Sequence, residues 1–240
     1  MPGGLHAVRR YYHALYRAWG PQDWWPARTR LEVVAGAILT QNTSWRNVER
    51  ALEALRGADA LSVAGLRRTS TRRLERLLRP AGYFRQKAAR LKNFVRHLDR
   101  GHGGSLARML AQPTAKLRRE LLDLHGIGPE TADSILLYAG GHASFVVDAY
   151  TRRVLERHGV IGPAAGYEEV RAMVETALGG VKAPRGQRPR FARPGGGAAA
   201  HVYNEFHALL VETGKRHCLK NEARCAGCPL EPFLEKRCIQ

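Results

Sequence analysis

Residues 121–140 read LLDLHGIGPETADSILLYAG, and the division of this stretch decides the fold. Leu121, Leu122 and Leu124 close an apolar helical pattern that Gly126-Ile127-Gly128 interrupts. Glycine tolerates positive φ and lets a second backbone come close. Pro129 suits the first position of a new helix, where its missing N–H would have had no partner. Glu130 follows in the first turn, where the macrodipole favours a negative group. The stretch predicts two helices joined by a tight glycine turn, with several N–H groups turned outward where a phosphate can sit. A plain αα-hairpin with glycine caps accounts for the same residues.

Helical periodicity extends in both directions from this turn, and strand signals are nearly absent. LHAVRRYYHALYRAWG, residues 5–20, places Leu5, Val8, Tyr12, Leu15 and Trp19 at three-to-four spacing and stops at Gly20. LEVVAGAILTQNTSW, residues 31–45, reads as a buried helix that breaks near Gln41 and Asn42, and the helical pattern resumes at Trp45. Further helices are expected around 61–67, 71–79, 85–99, 105–111, 115–124, 130–139, 150–158, 167–178 and 201–214. The fold class is all-α with short connections. Residues 179–200, rich in Gly, Pro and Arg, should hold no regular helix. They read as a flexible surface insertion or as a basic flap against a nucleic-acid backbone.

The 240 residues are 44% hydrophobic, enough for one large core or two small lobes. A formal charge of +18 suits a polyanion, because neutralising phosphates releases condensed counterions. Ribosomal and membrane-surface proteins can share this balance. No run reaches the roughly 20 apolar residues that span a bilayer, and no N-terminal stretch resembles a signal peptide. A cytoplasmic, nucleoid-associated protein is expected, with no membrane partner.

All four cysteines lie near the C-terminus, as Cys218-x6-Cys225-x2-Cys228-x9-Cys238. Crowding of this kind disfavours a disulfide-stapled secreted domain and favours thiolate ligands. Four thiolates can bind zinc or a [4Fe–4S] cube. A single C-x2-C pair, asymmetric spacing and Pro229 after the third cysteine favour the cube. Lys215, Arg216, Lys220 and Arg224 surround the cluster with positive charge.

In SFVVDAYTRRVLERHG, residues 144–159, Asp148 follows an apolar run and precedes an amphipathic helix. Its default role is an N-cap, which need not exclude catalysis. Backbone N–H bonds would hold such a carboxylate rigid and ionised. Arg152 and Arg153 follow as candidate phosphate contacts.

Taken together and in order, HGIGPETA, VVDAYTRRV and the terminal cysteine loop resemble the endonuclease III superfamily of helix-hairpin-helix DNA glycosylases. The likeness runs from about residue 21 to 238. It implies a two-lobed all-α protein with damaged double-stranded DNA in the cleft, acting in base excision repair as a monomer. One lobe, 29–139, would hold the hairpin. The other, 1–28 with 140–240, would join both chain ends and hold a [4Fe–4S] cluster. The resemblance carries the family's catalytic carboxylate onto Asp148 and hairpin contacts to DNA onto Gly126 and Gly128. It places Gln41 in the loop whose glutamine fills the gap left by a flipped base, and Tyr83 at the position of a wedge residue. The last cysteine gap is longer than the family's usual spacing.

Bifunctional members of that superfamily carry a lysine where this chain has Glu130. A lysine there attacks C1′ and forms a Schiff base that permits β-elimination, whereas a carboxylate cannot form an imine. Glycosylase chemistry without an amine must use water, so a monofunctional enzyme is expected, with Asp148 stabilising the sugar cation and orienting the water. Glu130 itself reads as a first-turn structural residue. Trp24, Trp25 and Trp45 bracket the Gln41 turn, as core residues or as a base pocket. The arrangement WWP…ILTQNT and Glu130 resemble the 3-methyladenine branch of the superfamily, which implies stacking on an alkylated, cationic purine. Two alternatives remain. One is an endonuclease III-like enzyme for oxidised pyrimidines, with Lys215 or Lys87 giving weak lyase action. The other is a lesion binder without catalysis.

Overall fold

In the computed structural model, residues 2–183, 190–192 and 197–234 are described. Cys238 lies outside these residues, as do 184–189 and 193–196 of the Gly/Pro/Arg-rich insertion. In chain order the first helices are α1 (Pro2–Trp19), α2 (Arg30–Leu39), α3 (Trp45–Gly57), α4 (Val63–Arg68), α5 (Thr71–Leu77) and α6 (Phe84–His102). There follow α7 (Leu106–Leu110), α8 (Thr114–Leu122), α9 (Pro129–Ser134), α10 (Ala149–Arg157), α11 (Tyr167–Leu178) and α12 (Ala198–Arg216). Among the described residues the extended pairing is confined to one isolated bridge, Cys218 with Ala223.

The chain divides into two compact units, Met1–Trp24 with Gly141–Gln240, and Trp25–Gly140. In the first, α1 lies against α11 and α12, and α10 against α12. Val8, Tyr11, Tyr12 and Leu15 of α1 meet Val170, Val174, Val202 and Phe206 in its core. Arg9 donates to the carbonyls of Ala177 and Gly179, at 3.0 Å for the latter, and so caps the end of α11. Helix α12 starts inside the stretch that composition reads as unable to hold a helix. Ala198–Ala200, good helix formers just past the glycines, are its first turn.

The second unit is built around α2. Leu31 to Leu39 are buried on every side, so this helix shows no polar face and is enclosed by α3, α6, α9 and the turn after α9. Its one buried charge, Glu32, is matched. It pairs with Arg56 and accepts the Arg28 N–H at 2.8 Å, while Thr29 caps the helix by accepting from the Glu32 N–H at 3.2 Å.

The 121–140 stretch divides at the glycines. Helix α8 ends at Leu122, Ile127 N–H donates to Leu124 O at 2.9 Å, and Gly128 stands as N-cap with Pro129 at the first position of α9. Gly126 has φ +85°, and a side chain there would also run into Arg90. Across the hairpin, Arg118 of α8 grips Asp133 of α9 with two bonds of 2.8 and 3.0 Å, and Asp133 is fully buried. Periodicity predicts one α-helix over 130–139, and the structure departs from it. After Ser134 the chain widens into a π-helical turn, Ile135–Gly140, buried throughout. Arg30 of α2 donates to the Ala139 carbonyl, supplying a partner that α-helical pairing would otherwise provide.

The two hairpin glycines make a paired test. Gly126→Ser forces a side chain into left-handed backbone and against Arg90, and should cost about 1–3 kcal/mol of unfolding free energy. Gly128→Ser sits in extended backbone at an N-cap, with φ −92° and open space around its Cα. It should change stability by no more than about 0.5 kcal/mol. Urea unfolding of both variants checks the difference.

Candidate functional site

Asp148 emerges from a buried run, Phe145-Val146-Val147. Phe145 N–H donates to Glu175 Oε1 at 2.9 Å and Val147 N–H lies 3.4 Å from the Tyr167 hydroxyl, so α11 holds this segment in place. Asp148 then caps α10, with Oδ1 accepting from Thr151 N–H at 2.7 Å. Its other oxygen, Oδ2, lies 3.5 Å from Nε2 of His207 on α12. The Asp148 side chain is 14% exposed and that of His207 is 6%. Burial alone would raise the carboxyl pKa. The nearby His207 imidazole and the Thr151 N–H outweigh it and hold the group below its ordinary value of 3.8. The result is a rigid carboxylate, ionised at neutral pH and only slightly open to water. Such a group can stabilise a developing cation or take a proton from water.

In the second unit the hairpin is tied to the Gln41 turn. Gln41 Nε2 donates to Gly126 O at 3.1 Å and to Thr131 Oγ1 at 2.8 Å, while Arg90 donates to Gln41 Oε1. The amide is thus oriented by all its polar atoms rather than swinging at a loop tip. Glu130 is exposed in the first turn of α9, and its carbonyl accepts the Ser134 hydroxyl at 2.7 Å. Tyr83 is 62% exposed at φ +44°, directly before α6. Left-handed backbone under an aromatic residue is strained, and it turns the ring outward. Lys87, one turn later, is fully buried and donates to Ala81 O at 2.7 Å. Burial, then the nearby Arg90, lowers its pKa to about 8.

The tryptophans separate. Trp25 is 9% exposed and meets Trp45 edge-on, centroids 5.1 Å apart at 84°, with Tyr138 also 5.1 Å away. Gly36 makes room for both indoles, since a Cβ there would lie 3.2 Å from Trp25 and 3.5 Å from Trp45. Trp24 belongs to the other unit, where Lys215 Nζ lies 5.1 Å over its ring.

Arg152 donates to Ala165 O at 2.8 Å. Arg153 reaches Cys218 O at 2.7 Å and Gly214 O at 3.3 Å, with Tyr150 under its guanidinium. Both side chains brace the fold around α10. Arg157 continues the theme, donating to Cys218 Sγ at 3.3 Å and to Leu219 O at 2.7 Å. No disulfide joins the described cysteines Cys218, Cys225 and Cys228, and the first and third are buried. Burial, and then the neighbouring Cys225 and Cys218, raise the Cys228 thiol. Among the described residues these three cysteines do not form a set of ligand atoms gathered within 4.8 Å, so only their residue type, as potential thiolates, suits a metal cluster.

Sequence reasoning missed His207, Arg90 and Thr131. His207 lies in an apolar helix and reads there as core. Arg90 is one of many arginines. Only Thr131, inside the hairpin motif, carried a local signal.

A profile of the HhH-GPD superfamily of base excision DNA repair proteins matches residues 35–178. The chain is 42% identical over 227 residues to a candidate DNA repair glycosylase of Methanocaldococcus jannaschii, covering 94% of each. The 3-methyladenine DNA glycosylase of H. pylori bound to 1,N6-ethenoadenine superposes with a TM-score of 0.74 at 27% identity, covering 89% of this chain and 97% of that one. Endonuclease III in a non-covalent DNA complex shares the fold, with a TM-score of 0.73 at 19% identity over 95% and 94% of the two chains. The chain belongs to the HhH-GPD superfamily of base excision DNA repair proteins, among its endonuclease III-like DNA glycosylases.

Proposed function

We propose that this glycosylase is monofunctional, hydrolysing the N-glycosidic bond of alkylated purines in duplex DNA with Asp148 as its catalytic residue. The observation that carries the reading is the charged, doubly held Asp148 carboxylate in a chain whose hairpin presents Glu130 in place of an amine. The lesion is flipped from the stack. As the C1′–N bond breaks, its electron pair leaves with the base and positive charge grows on the sugar. Asp148 stabilises that charge and orients the water that adds to C1′, whose proton is lost to the carboxylate or to solvent. An N3- or N7-alkylated purine is cationic before cleavage and departs neutral, so it needs little acid catalysis. It also stacks well on electron-rich rings, and the Trp25–Trp45–Tyr138 cluster supports this substrate class. The bound ethenoadenine of the H. pylori relative agrees with a purine pocket.

Gln41, already oriented by Arg90 and the hairpin, would fill the space of the everted nucleotide, and exposed Tyr83 would wedge the opposite strand. Gly126 and Gly128 would let the hairpin backbone meet a phosphate. Lys87 is an unsuitable lyase amine, because it is fully buried and engaged with Ala81 O. Cys218, Cys225, Cys228 and Cys238 would hold a [4Fe–4S] cluster. When bound, it would supply a structural cross-link for the basic loop after α12, not electrons, since hydrolysis transfers none.

Asp148→Asn separates catalysis from capping. Asparagine caps a helix as well as aspartate, so folding should survive while base release from methylated-purine duplex falls roughly 10²–10⁴-fold. Unchanged release would leave Asp148 a cap only. The lowered pKa also has a direction. The carboxylate and its stabilising bonds persist above the ordinary value of 3.8 and are lost only as pH falls through the lower folded value. The acid limb of the wild-type rate profile should therefore lie below 3.8. Borohydride should trap no protein on abasic-site DNA, and strands should break only after alkali. Efficient capture through a lysine would defeat the monofunctional assignment. Anaerobically purified protein should contain iron and absorb in the visible iron–sulfur band, and zinc on the thiolates without iron would overturn the cluster.

A further inference from the structure

Away from Asp148, the hairpin turn and the cysteine loop, two helices of the second unit bring two imidazoles and a carboxylate together. His97 and His102 lie in the last turns of α6, and Glu120 lies on α8. His102 Nε2 is 3.3 Å from Glu120 Oε2 and His97 Nε2 is 3.9 Å from the same oxygen. The three ligand atoms fall within 4.8 Å of one another. The His102 side chain is 6% exposed. Both Nε2 atoms are buried without a hydrogen-bond partner, an arrangement that costs free energy unless something binds there. Gln112 Nε2 donates to Glu120 Oε2 at 2.5 Å and orients the carboxylate.

We propose that His97, His102 and Glu120 form a binding site for a zinc-like divalent cation that clips α6 to α8. Bonds of about 2.0–2.2 Å to imidazole nitrogen and carboxylate oxygen place neighbouring ligands of a tetrahedral ion about 3.3–3.6 Å apart. The His102–Glu120 separation already has that value, and the 3.9 Å His97–Glu120 separation needs to close by a few tenths of an ångström. Two imidazoles with one carboxylate select a borderline ion over magnesium or calcium, which prefer all-oxygen shells. Gln112 supplies the outer hydrogen bond that such sites use to aim a carboxylate. The clip acts on the helix that carries Arg118, whose pairing with Asp133 sets the hairpin.

The test uses tag-free protein with its cysteine loop loaded as purified. Cobalt(II) titration should show one equivalent with visible d–d bands and no thiolate-to-metal charge transfer. Zinc at about a hundredfold excess over Kd should raise the unfolding midpoint by roughly 5–10 °C. In His97→Gln and Glu120→Gln, affinity should fall on the order of tenfold or more, with far-ultraviolet dichroism unchanged. Should either variant fail to fold, wild-type imidazole resonances give the answer, because zinc should shift those of His97 and His102 together. The proposal is overturned by absent cobalt uptake, by uptake with thiolate charge transfer that survives His97→Gln, or by imidazole resonances that ignore zinc.

Discussion

A carboxylate with little access to water stays charged only if each oxygen is answered, and at Asp148 the two are answered by different elements. Oδ1 belongs to the first turn of α10 through Thr151, and Oδ2 faces His207 on α12. The capping bond and the histidine together reverse the effect of burial. The helix that needs a cap thereby holds the carboxylate rigid. The run before Asp148 is pinned by Glu175 and Tyr167, so the carboxylate has little freedom to turn away.

The hairpin holds its shape through contacts of the turn itself. Gly126, in left-handed backbone, leaves room for Arg90, and Arg90 and the Gly126 carbonyl both orient Gln41. None of these contacts involves the side chain of residue 130, which is exposed. The contacts that set the turn therefore do not depend on which side chain stands at residue 130.

The strongly basic composition has a second use. Arg9, Arg30, Arg152, Arg153 and Arg157 donate to backbone carbonyls at helix ends and loops. Guanidinium suits this because its several N–H groups satisfy more than one acceptor from a single side chain. A net charge of +18 therefore overstates the number of cations held ready for phosphate, since some are internal braces.

Local patterns located the helices to within a few residues at most ends, because apolar spacing, serine and threonine caps and the Gly-Pro turn are readable over short distances, but missed the break after Ser134 and the early start of α12. They also marked Asp148 as a cap and the cysteines as a ligand set. Three features were decided only by tertiary packing. The π-helical turn at 135–140 accompanies an Arg30 bond from a helix more than a hundred residues earlier. The separation of Trp24 from Trp25 follows from the unit boundary that falls between them. The partnership of His207 with Asp148, like that of His97 and His102 with Glu120, joins residues from different helices. Sequence shows periodicity along one helix, but the charge state of a buried group depends on what a distant segment places beside it, and only the folded chain supplies that neighbour.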